Sequence, residues 1–281
     1  MYILKFNCYY PTMLADNDLT ELTKMAGPVR ELILKMCNRA KASHIGSAFS
    51  VVDLLICIYS YVSKDNLNKV ILSKGHSASA FYAVLAKFGK ISEKSLDNYC
   101  ADGENLAGHI SHLVHSDINL STGSLGHGLP YGAGIAMAKK LDSISGKVFV
   151  IMSDGEMDEG TTWETALLSN HFGLNNLIVV IDRNRLQSLT NTELTIKLEP
   201  LDKKWTSFGW DILSINAHSY QEIILNINSI INNQTKPVCI IANSIKGYGV
   251  SFMEDSVKWH YKSPNEDEME AGLKELKEKF K

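Results

Sequence analysis

Three short runs of apolar residues constrain the fold of this chain more than any other feature of its sequence. "VFVIM" (148–152), "LIVVI" (177–181) and "VCIIA" (238–242) are apolar without a break. Strands with one face in water alternate between apolar and polar residues, whereas unbroken runs indicate strands covered on both faces. Patterns typical of helices separate these runs, as in parallel sheets. The sequence therefore predicts an α/β fold, a parallel sheet with helices on both faces.

The predicted elements alternate regularly from residue 127 to residue 243. Strands are expected at 147–152, 177–182, 210–215 and 237–243, and helices at about 127–141, 161–172, 200–208 and 219–233. Upstream, helical patterns occupy 19–40, 51–62 and 76–89, and a short strand is expected at 69–73. The tail reads as a capped helix facing solvent. No repeat or linker interrupts the pattern, so we expect one domain over 14–281, preceded by an extension at 1–13.

Composition excludes several classes of protein. The chain has 281 residues, a net charge of −3 and no basic region, which argues against binding to nucleic acid. No run of 18 apolar residues predicts a membrane span, and the N-terminus lacks the features of a signal peptide. The cysteines are scattered and odd in number, which predicts reduced thiols in the cytoplasm. They are Cys8, Cys37, Cys57, Cys100 and Cys239.

An acidic loop, "SDGEMDEG" (153–160), follows the first apolar run, and "DRN" (182–184) follows the second. The carboxyl ends of neighbouring parallel strands meet at one edge of the sheet, so Asp154 and Asn184 should lie close together. Carboxylate and amide oxygens suit Mg²⁺ or Ca²⁺, and Mg²⁺ usually shares its ligands with a phosphate group. The helix predicted after the loop would turn its positive end toward that phosphate. Spacing alone leaves an ordinary acidic turn equally open.

A nicotinamide-dependent oxidoreductase is an alternative at this point. "GSLGHGLPYGAG" contains Gly126, Gly128, Gly132 and Gly134 and is a near match to the dinucleotide fingerprint. The fingerprint requires a good strand before its glycines, and "SDINLSTGS" is a poor one. No P-loop motif is present. The small residues also suit close contact with a flat ligand or a neighbouring helix.

Four histidines lie beside glycine, serine or proline in predicted loops. Such positions suit hydrogen bonding to a polyhydroxylated or phosphorylated substrate and proton transfer. These are His44, His76, His109 and His260. Four other histidines do not lie in such loop positions and are expected to be structural: His112, His115, His171 and His218.

Several segments resemble motifs of the transketolases. "SDGEMDEG…LIVVIDRN" is similar to the thiamine diphosphate fingerprint, and three further segments resemble transketolase motifs in the same order. Those segments are "ILSKGHSASAFYAVLAKFG", "LSTGSLGHGLPYGAGIAMA" and "IKGYGVSFMEDSVKWHYKSPN". The likeness runs from about residue 14 to 275 and is greatest to the N-terminal subunit of transketolases split over two genes. It implies the diphosphate-binding (PP) domain of the thiamine diphosphate-binding fold.

The resemblance implies a metal site in the acidic loop and the strand beyond it. Asp154, Asn184 and the backbone carbonyl of Leu186 would hold Mg²⁺, which Ca²⁺ can replace. Through the metal they would hold the diphosphate of thiamine diphosphate. Gly155 would let the backbone approach the diphosphate closely.

Further cofactor contacts follow from the same resemblance. His76 and His260 would reach the diphosphate oxygens or the reacting end of the substrate. Gly123 and Leu125 would contact the thiamine. Glu159 is similar to a glutamate that the family uses for communication between paired sites. The other acidic residues of the loop are expected to be solvated.

The catalytic residues implied by the resemblance are His44, His109 and His260, which would bind the hydroxyls of a ketose donor and transfer protons. The activity would be transfer of a two-carbon ketol unit from a ketose or ketose phosphate to an aldose.

The sequence departs from the family pattern at positions around the site. Ile45 replaces the usual proline, Ser153 the first glycine of the fingerprint and His127 a glutamine. Arg183 and Arg185 flank the metal asparagine, where smaller or neutral residues are common. The cofactor ligands are retained. Ile45, His127 and Arg185 are expected to border the substrate, so a deoxy, branched or sulfonated sugar fits as well as a pentose phosphate.

The family also uses a pyrimidine-binding domain, with a glutamate that promotes the reactive tautomer of the cofactor. The resemblance therefore implies an α2β2 heterotetramer with a separate C-terminal pyrimidine-domain subunit. Composition predicts a location in the cytoplasm, with neither nucleic acid nor membrane as a partner. Two alternatives remain open: the α subunit of a thiamine-dependent 2-oxo acid dehydrogenase, and a cofactor-binding regulator without a partner. "GSLGHG" and "VKWHYKSPN" favour the transketolase over the dehydrogenase.

Overall fold

A computed structural model describes residues 16–281, so the predicted extension at 1–13 and Cys8 lie outside the described residues. Within them the chain forms a five-stranded sheet in the order β1-β2-β3-β5-β4, with every neighbouring pair parallel. The strands are β1 (Lys69–Leu72), β2 (Val148–Ser153), β3 (Leu177–Arg183), β4 (Asp211–Asn216) and β5 (Val238–Asn243). The predicted α/β class and parallel sheet are confirmed.

Helices connect these strands. They are α1 (Asp16–Lys24), α2 (Ala26–Ala40), α3 (Ile45–Val62), α4 (Ala78–Lys87), α5 (Gly128–Leu141), α6 (Gly160–His171), α7 (Thr192–Thr195), α8 (Leu201–Ser207), α9 (Tyr220–Asn233) and α10 (Glu266–Lys279). Most boundaries lie within two residues of those predicted. Two differ: 19–40 is two helices separated at Met25, and α3 begins at Ile45, six residues earlier than its predicted start at 51.

The sheet is covered on both faces, as the unbroken apolar strands predicted. Phe149 and Ile151 of β2 belong to the core beneath α2, α3 and α9. Val148 and Val150 of the same strand belong to the opposite core, which includes Leu129 of α5. Successive residues of a strand point to opposite faces. One strand therefore supplies apolar side chains to two cores.

Helix α3 is the central helix of the larger core. The helix is apolar enough on average and, at 18 residues, long enough to cross a membrane, but all of its residues are buried within the domain. A fully buried core helix has the same composition as a membrane span. Its burial here assigns it to the core.

The carboxyl ends of β2 and β3 lie side by side. Ser153 is in register with Asp182, and Asp182 with Ala242 of β5. The chain then continues into Asp154, and beyond β3 into Asn184, at the same edge of the sheet. This register places the two predicted metal ligands together.

Helix α10 matches its prediction as a capped helix. The Asn265 side chain accepts from the backbone of Glu268 at 2.8 Å, and Glu268 accepts from the backbone of Asn265 at 3.0 Å, forming a capping box. Its buried positions are Gly272 and Leu276, the first of which packs on Leu34 of α2. The rest of the helix is largely solvated.

Candidate active site

One pocket at the carboxyl edge of the sheet collects most of the predicted cofactor residues. The predicted residues that line it are His76, Leu125, Asp154, Gly155, Asn184, Leu186 and His260. Ser47, Ser153, Gln187, Ser188 and Lys246 complete the wall. In open α/β sheets ligands bind at such an edge. The pocket comprises residues from well-separated stretches of the sequence.

The carboxylate of Asp154 is fixed before any ligand arrives. It is 1% exposed, and its Oδ2 accepts from the backbone N–H of Arg185 at 2.7 Å and from the Arg183 guanidinium at 3.1 Å. Oδ1 accepts from the N–H of Gly155 at 2.9 Å. Burial raises the pKa of Asp154, against the opposing effect of Arg183. A divalent cation would relieve this cost of burial by favouring the charged carboxylate.

Asn184 and Leu186 present the other two oxygens. The Oδ1 of Asn184 accepts from the N–H of Leu186 at 3.1 Å, which turns the side chain back toward the backbone of Leu186. Among residues 16–281 no group of three or more His, Cys, Asp or Glu side chains could hold a metal. One carboxylate, one amide and one carbonyl nevertheless fit Mg²⁺, which takes few protein oxygens and completes its shell with phosphate and water.

Lys246 is a cation that we did not predict at this site. It is 1% exposed, and its ammonium donates to the carbonyl of Leu186 at 3.2 Å and to Nδ1 of His260 at 2.9 Å. Burial and the neighbouring Lys74 ammonium lower the pKa of Lys246 to about 8. The lysine faces a carbonyl and an imidazole, so a bound anion would supply the counter-charge that these neutral groups lack.

A second buried lysine organises the floor of the site. Lys74 pairs with Asp182 at the end of β3, and both are fully buried. Asp182 also accepts from Ser50 at 2.6 Å and from Ser244. Although burial opposes ionisation, Lys74 and these hydroxyls hold the pKa of Asp182 below its usual range. The ion pair and the two hydroxyl hydrogen bonds therefore hold the ends of β1 and β3, helix α3 and the segment after β5 together.

The four predicted histidines do come together; we call them the histidine cluster. The ring of His44 is the centre, with ring centroids 5.4 Å from His76, 5.6 Å from His109 and 4.9 Å from His260. His76 reaches Ser47 at 2.9 Å. The Nδ1 atom of His44 is buried without a hydrogen-bond partner. Such an atom normally has a partner, so a water or a ligand group is expected to reach it.

The histidine cluster is uncharged at neutral pH. Burial, reinforced by neighbouring cationic groups, lowers the pKa of His44 to about 4 and that of His260 to about 3. Burial also lowers the pKa of His76 and His109. A neutral imidazole offers one donor and one acceptor, which suits sugar hydroxyls. Because Lys246 donates to Nδ1 of His260, the proton of His260 is on Nε2.

Glu156 corrects one expectation, since it is fully buried and not solvated. Its carboxylate accepts from the N–H groups of Ser153 at 2.8 Å and Gly126 at 3.0 Å and from the hydroxyl of Ser73. These donors lie at the ends of β2 and β1 and just before α5. Glu156 therefore joins the metal loop to the segment that contains Leu125. Local sequence could not predict this, because every donor but Ser153 is remote in the chain.

The other predicted positions surround the pocket. Gly123 lies against His109, where an added Cβ would come within 3.5 Å of the ring. Glu159 is exposed outside the pocket, next to Gly126, at the start of α6. The helix after the acidic loop was expected to turn its N-terminus toward the bound phosphate. A short 3-10 helix at 154–158 lies between the pocket and α6, so the helix N-terminus at the pocket belongs to the 3-10 helix. The roles of Gly123 and Glu159 stay predictions.

Three departures from the family pattern were expected to border the substrate. For Ile45 this expectation is wrong, because the residue is fully buried in the core and does not line the pocket. His127 is exposed and contacts the carbonyl of Leu125 at 3.1 Å. Arg185 adopts a left-handed backbone with φ of 65° and donates to Asn243 at 2.9 Å. His127 and Arg185 therefore keep positions beside the site.

A model of the family "Transketolase, thiamine diphosphate binding domain" matches residues 22–280. The chain belongs to this family. The match covers the pocket and the histidine cluster, and it decides between the alternatives in favour of the transketolase. The structure agrees, because the segment before α5 is irregular and lacks the strand that a dinucleotide fingerprint requires.

The most informative relatives are themselves single subunits of transketolases. The chain is 37% identical over 259 residues to an apulose-4-phosphate transketolase subunit of Phocaeicola vulgatus, covering 89% of this chain and 92% of that protein. It is 33% identical over 264 residues to 6-deoxy-6-sulfo-D-fructose transketolase subunit SqwG of Clostridium sp., covering 91% of this chain and 96% of that protein. The chain is thus the N-terminal subunit of a split transketolase.

The fold is that of undivided transketolases. The crystal structure of transketolase from Campylobacter jejuni superposes with a TM-score of 0.84 and 26% identity over 93% of this chain. The match covers 43% of the Campylobacter jejuni protein, so this transketolase subunit spans less than half the length of the undivided enzyme.

Lys246 and Lys74 are buried charged residues of the site that sequence reasoning missed. Both stand in segments that resemble the family, "IKGYG" and "SKGH". Lys74 directly follows the predicted strand at 69–73, and Lys246 lies three residues after the one at 237–243. A lysine beside glycine at the carboxyl end of a parallel strand is a signal for a charged ligand or an ion pair at that edge. That signal could have identified them.

Proposed function

We propose that this transketolase subunit binds thiamine diphosphate through Mg²⁺ and, with a separate pyrimidine-domain subunit, transfers a two-carbon ketol unit from a ketose to an aldose. The observation that carries the proposal is the common pocket of Asp154, Asn184, Leu186 and Gly155. Three oxygens of types preferred by Mg²⁺ lie there beside a glycine backbone. Asp154, Asn184 and Leu186 would hold the metal.

When bound, thiamine diphosphate supplies the nucleophilic carbon for cleavage of a carbon–carbon bond beside a carbonyl. The protein contributes charge and position. The ammonium of Lys246 would balance part of the negative charge of the diphosphate, and the N–H side of the 3-10 helix at 154–158 offers a positive backbone end. Ca²⁺ would replace Mg²⁺, since both take oxygen ligands.

The histidine cluster would bind the hydroxyls of the sugar. His44, with its unpartnered Nδ1, is in contact with the rings of His76, His109 and His260. A neutral ring can accept a proton from a hydroxyl at one nitrogen while it donates the proton of its other nitrogen to another group, so it passes a proton on and stays neutral. Proton transfer to and from the substrate is therefore assigned to His44, His109 and His260.

Exposed apolar residues support a partner subunit. Leu167 and Leu168 of α6 and the following Phe172 are exposed, at 59%, 53% and 46%. Beyond Ser188 of the pocket, Leu189 of the loop and Leu194 of α7 are exposed at 82% and 75%. Leu167 and Leu168 are adjacent in sequence, and exposed apolar patches mark interaction sites. We propose an α2β2 assembly, with a subunit interface in the obligate class of roughly 2,000 Å² or more.

Two relatives are named for apulose-4-phosphate and for 6-deoxy-6-sulfo-D-fructose, so the donor of this enzyme is proposed to belong to such specialised sugars or to the pentose phosphates. His127 and Arg185 lie beside the site and are proposed to help determine which donor sugar binds. Location in the cytoplasm stays a prediction.

Thermal melts of the assembled protein, with and without thiamine diphosphate and Mg²⁺, test the cofactor site. A ligand at 100 times its Kd should stabilise by about 2.7 kcal/mol. Asp154→Ala should abolish the shift. Asp211→Ala is the matched control, since Asp211 is exposed at the amino end of β4. A full shift in Asp154→Ala, or none in the unmodified protein, contradicts the site.

Activity is tested by offering ketose donors and aldose acceptors to the chain alone and to the chain with its partner. The donor panel is xylulose 5-phosphate, fructose 6-phosphate, apulose 4-phosphate and 6-deoxy-6-sulfofructose. Ketol transfer is expected only from the pair, because a carbanion-type reaction requires a site closed to water. Equal rates from the lone chain would refute the need for a partner.

A further inference from the structure

A buried charged cluster lies outside the pocket, and the proposed function gives it no role. Asp53 of α3 is 1% exposed and accepts from both guanidinium nitrogens of Arg30, at 2.9 and 2.7 Å. It also accepts from Nδ1 of His218 at 2.8 Å and from the hydroxyl of Tyr220 at 3.0 Å. We call Arg30, Asp53, His218 and Tyr220 the Asp53 cluster. Four hydrogen bonds to one carboxylate make its position well defined.

The hydrogen bonds of His218 define its tautomer. Burial acts to raise the pKa of Asp53, but Arg30 and His218 outweigh it and lower that pKa to about 2, so the carboxylate only accepts. Nδ1 of His218 must therefore carry a proton. Nε2 accepts from the backbone N–H of Ile245 at 3.0 Å and must be free of one. His218 thus links Asp53 to a backbone amide.

Ile245 begins a tight turn at residues 245–248. The N–H of Tyr248 bonds to the carbonyl of Ile245 at 3.2 Å, and Gly247 takes a φ of 80°, as the third residue of a type II turn requires. The Asp53 cluster holds one side of this turn. The ring of His218 stacks on Tyr248 with centroids 3.6 Å apart, and Nε of Arg30 donates to the carbonyl of Tyr248 at 3.0 Å.

The other side of the turn faces the cofactor pocket. Lys246 lies between Ile245 and Gly247, and its ammonium reaches the carbonyl of Leu186 and Nδ1 of His260. The N–H of Gly247 bonds to the carbonyl of Gly46 at 2.9 Å. The turn is therefore held between α3 and the Asp53 cluster, with the Lys246 side chain as its only projection into the pocket among the residues 245–248.

We infer that His218, oriented by Asp53, is a positioning residue that fixes the turn at 245–248 and thereby places the Lys246 ammonium at the cofactor pocket. Without its acceptor, the N–H of Ile245 would lose its bond and the turn could rotate about its remaining anchors. A shift of about 1 Å at a charged group is enough to change binding in a site that depends on position. The cofactor part of this inference rests on the proposed function.

Two substitutions separate the two bonds of His218. His218→Asn places an amide near the position of Nδ1, where it can pair with Asp53, and leaves Ile245 without an acceptor. His218→Gln places an amide oxygen near the position of Nε2 and can accept from Ile245. Tyr220→Phe is the control, because it removes one bond to Asp53 and leaves the contact between His218 and Ile245 intact.

The first measurement is hydrogen exchange of the segment 244–249 in the full chain, which does not depend on cofactor. Exchange at Ile245 should rise about tenfold or more in His218→Asn and stay near the level of the unmodified chain in His218→Gln and Tyr220→Phe. Unchanged exchange in His218→Asn overturns the inference. If the unmodified protein binds no thiamine diphosphate, the proposed function fails, and this measurement still decides the role of His218 in the turn.

The second measurement is the Kd for thiamine diphosphate with Mg²⁺ in the assembled protein. We expect His218→Asn to weaken binding about tenfold, or 1.4 kcal/mol. His218→Gln and Tyr220→Phe should remain within about threefold of the unmodified protein. In the double variant with Lys246→Met, His218→Asn should cause no further loss, because it acts through the lysine. Additive losses, or an unchanged Kd in His218→Asn, would show that His218 only stabilises the fold.

Discussion

The guanidinium of Arg183 donates to Oδ2 of Asp154 at 3.1 Å, so the proposed metal carboxylate already has a cation beside it. Arg183 is 1% exposed and also bonds to Thr192 at 2.7 Å, Glu193 at 3.0 Å and Glu199 at 2.8 Å. One arginine therefore joins the metal loop to α7 and the segment that follows it. The charge that Mg²⁺ would meet at Asp154 depends on this contact.

Arg183→Met should destabilise the cofactor-free chain by about 3–5 kcal/mol, because it leaves a buried carboxylate without its partner. Mg²⁺ with thiamine diphosphate should then stabilise the variant more than the unmodified protein, since the metal replaces the lost positive charge. Urea unfolding of the assembled protein with and without cofactor measures both effects. Arg39→Met is the control, as its ion pair with Asp97 is exposed and worth about 0–1 kcal/mol. Equal cofactor increments in Arg183→Met and the unmodified protein would contradict this account.

Glu156→Gln should cost about 1–3 kcal/mol of stability, because an amide NH₂ would replace an acceptor that faces backbone N–H groups. The NH₂ group would face the N–H of either Ser153 or Gly126, which bond to different oxygens of Glu156, so the loss should be accompanied by weaker cofactor affinity through Leu125. Urea unfolding gives the stability, and a thermal shift with cofactor gives the affinity. Glu164→Gln on the exposed face of α6 should change neither. A fully stable Glu156→Gln variant would mean that the site tolerates an unpaired donor.

Stability should rise with pH between about 4 and 6.5 because of the histidine cluster. The pKa of His44 falls from 6.5 to about 4 on folding, and that of His260 from 6.5 to about 3. In this window the unfolded chain binds protons that the folded chain does not, so acid favours unfolding. Each such proton gives a slope of up to about 1.4 kcal/mol per pH unit. Urea unfolding at several pH values should show a flatter slope in His44→Gln/His260→Gln, and an unchanged slope would refute the assignment.

The centre of the sheet was predictable because β2, β3 and β5 are apolar on both faces, a pattern that depends on local sequence alone. Asp154 and Asn184 were predictable because parallel register brings successive strand ends together. The fate of Glu156 was not predictable, since its partners Ser73 and Gly126 are distant in sequence. The acidic residues of a loop can therefore indicate a site from sequence alone. Which of them is buried depends on tertiary contacts.

The role of His218 also depends on contacts that local sequence does not reveal. Its sequence surroundings contain no signal for function, and we expected a structural residue. The structure confirms that expectation in one sense, since its ring is packed on Tyr248 and bonded to Asp53. Its contact with Ile245, next to Lys246, could be found only once β4 and β5 were placed side by side.

Helix α5 provides a matched pair of glycines for testing where a partner docks. A Cβ at Gly132 would come within 2.5 Å of Val150 and 3.2 Å of Ile71, so this glycine permits the close approach of α5 to the sheet. A Cβ at Gly134, two residues later, would meet nothing within 4 Å. The same substitution is therefore expected to have opposite consequences on the two faces of one helix.

Gly132→Ala should destabilise the lone chain, because Val150 is a buried, stiff side chain that cannot move aside without disturbing β2. Gly134→Ala should stabilise it by up to about 1 kcal/mol, since alanine has the higher helix propensity. If a partner subunit or a second copy packs closely on the outer face of α5, Gly134→Ala should also weaken assembly while the lone chain gains stability. Urea unfolding of the lone chain and sedimentation of the mixed subunits measure the two effects separately. A Gly134→Ala variant that assembles with unchanged affinity would place the partner away from this face of α5, and the exposed leucines of α6 and of the loop at 189–194 would then remain as its contact surface.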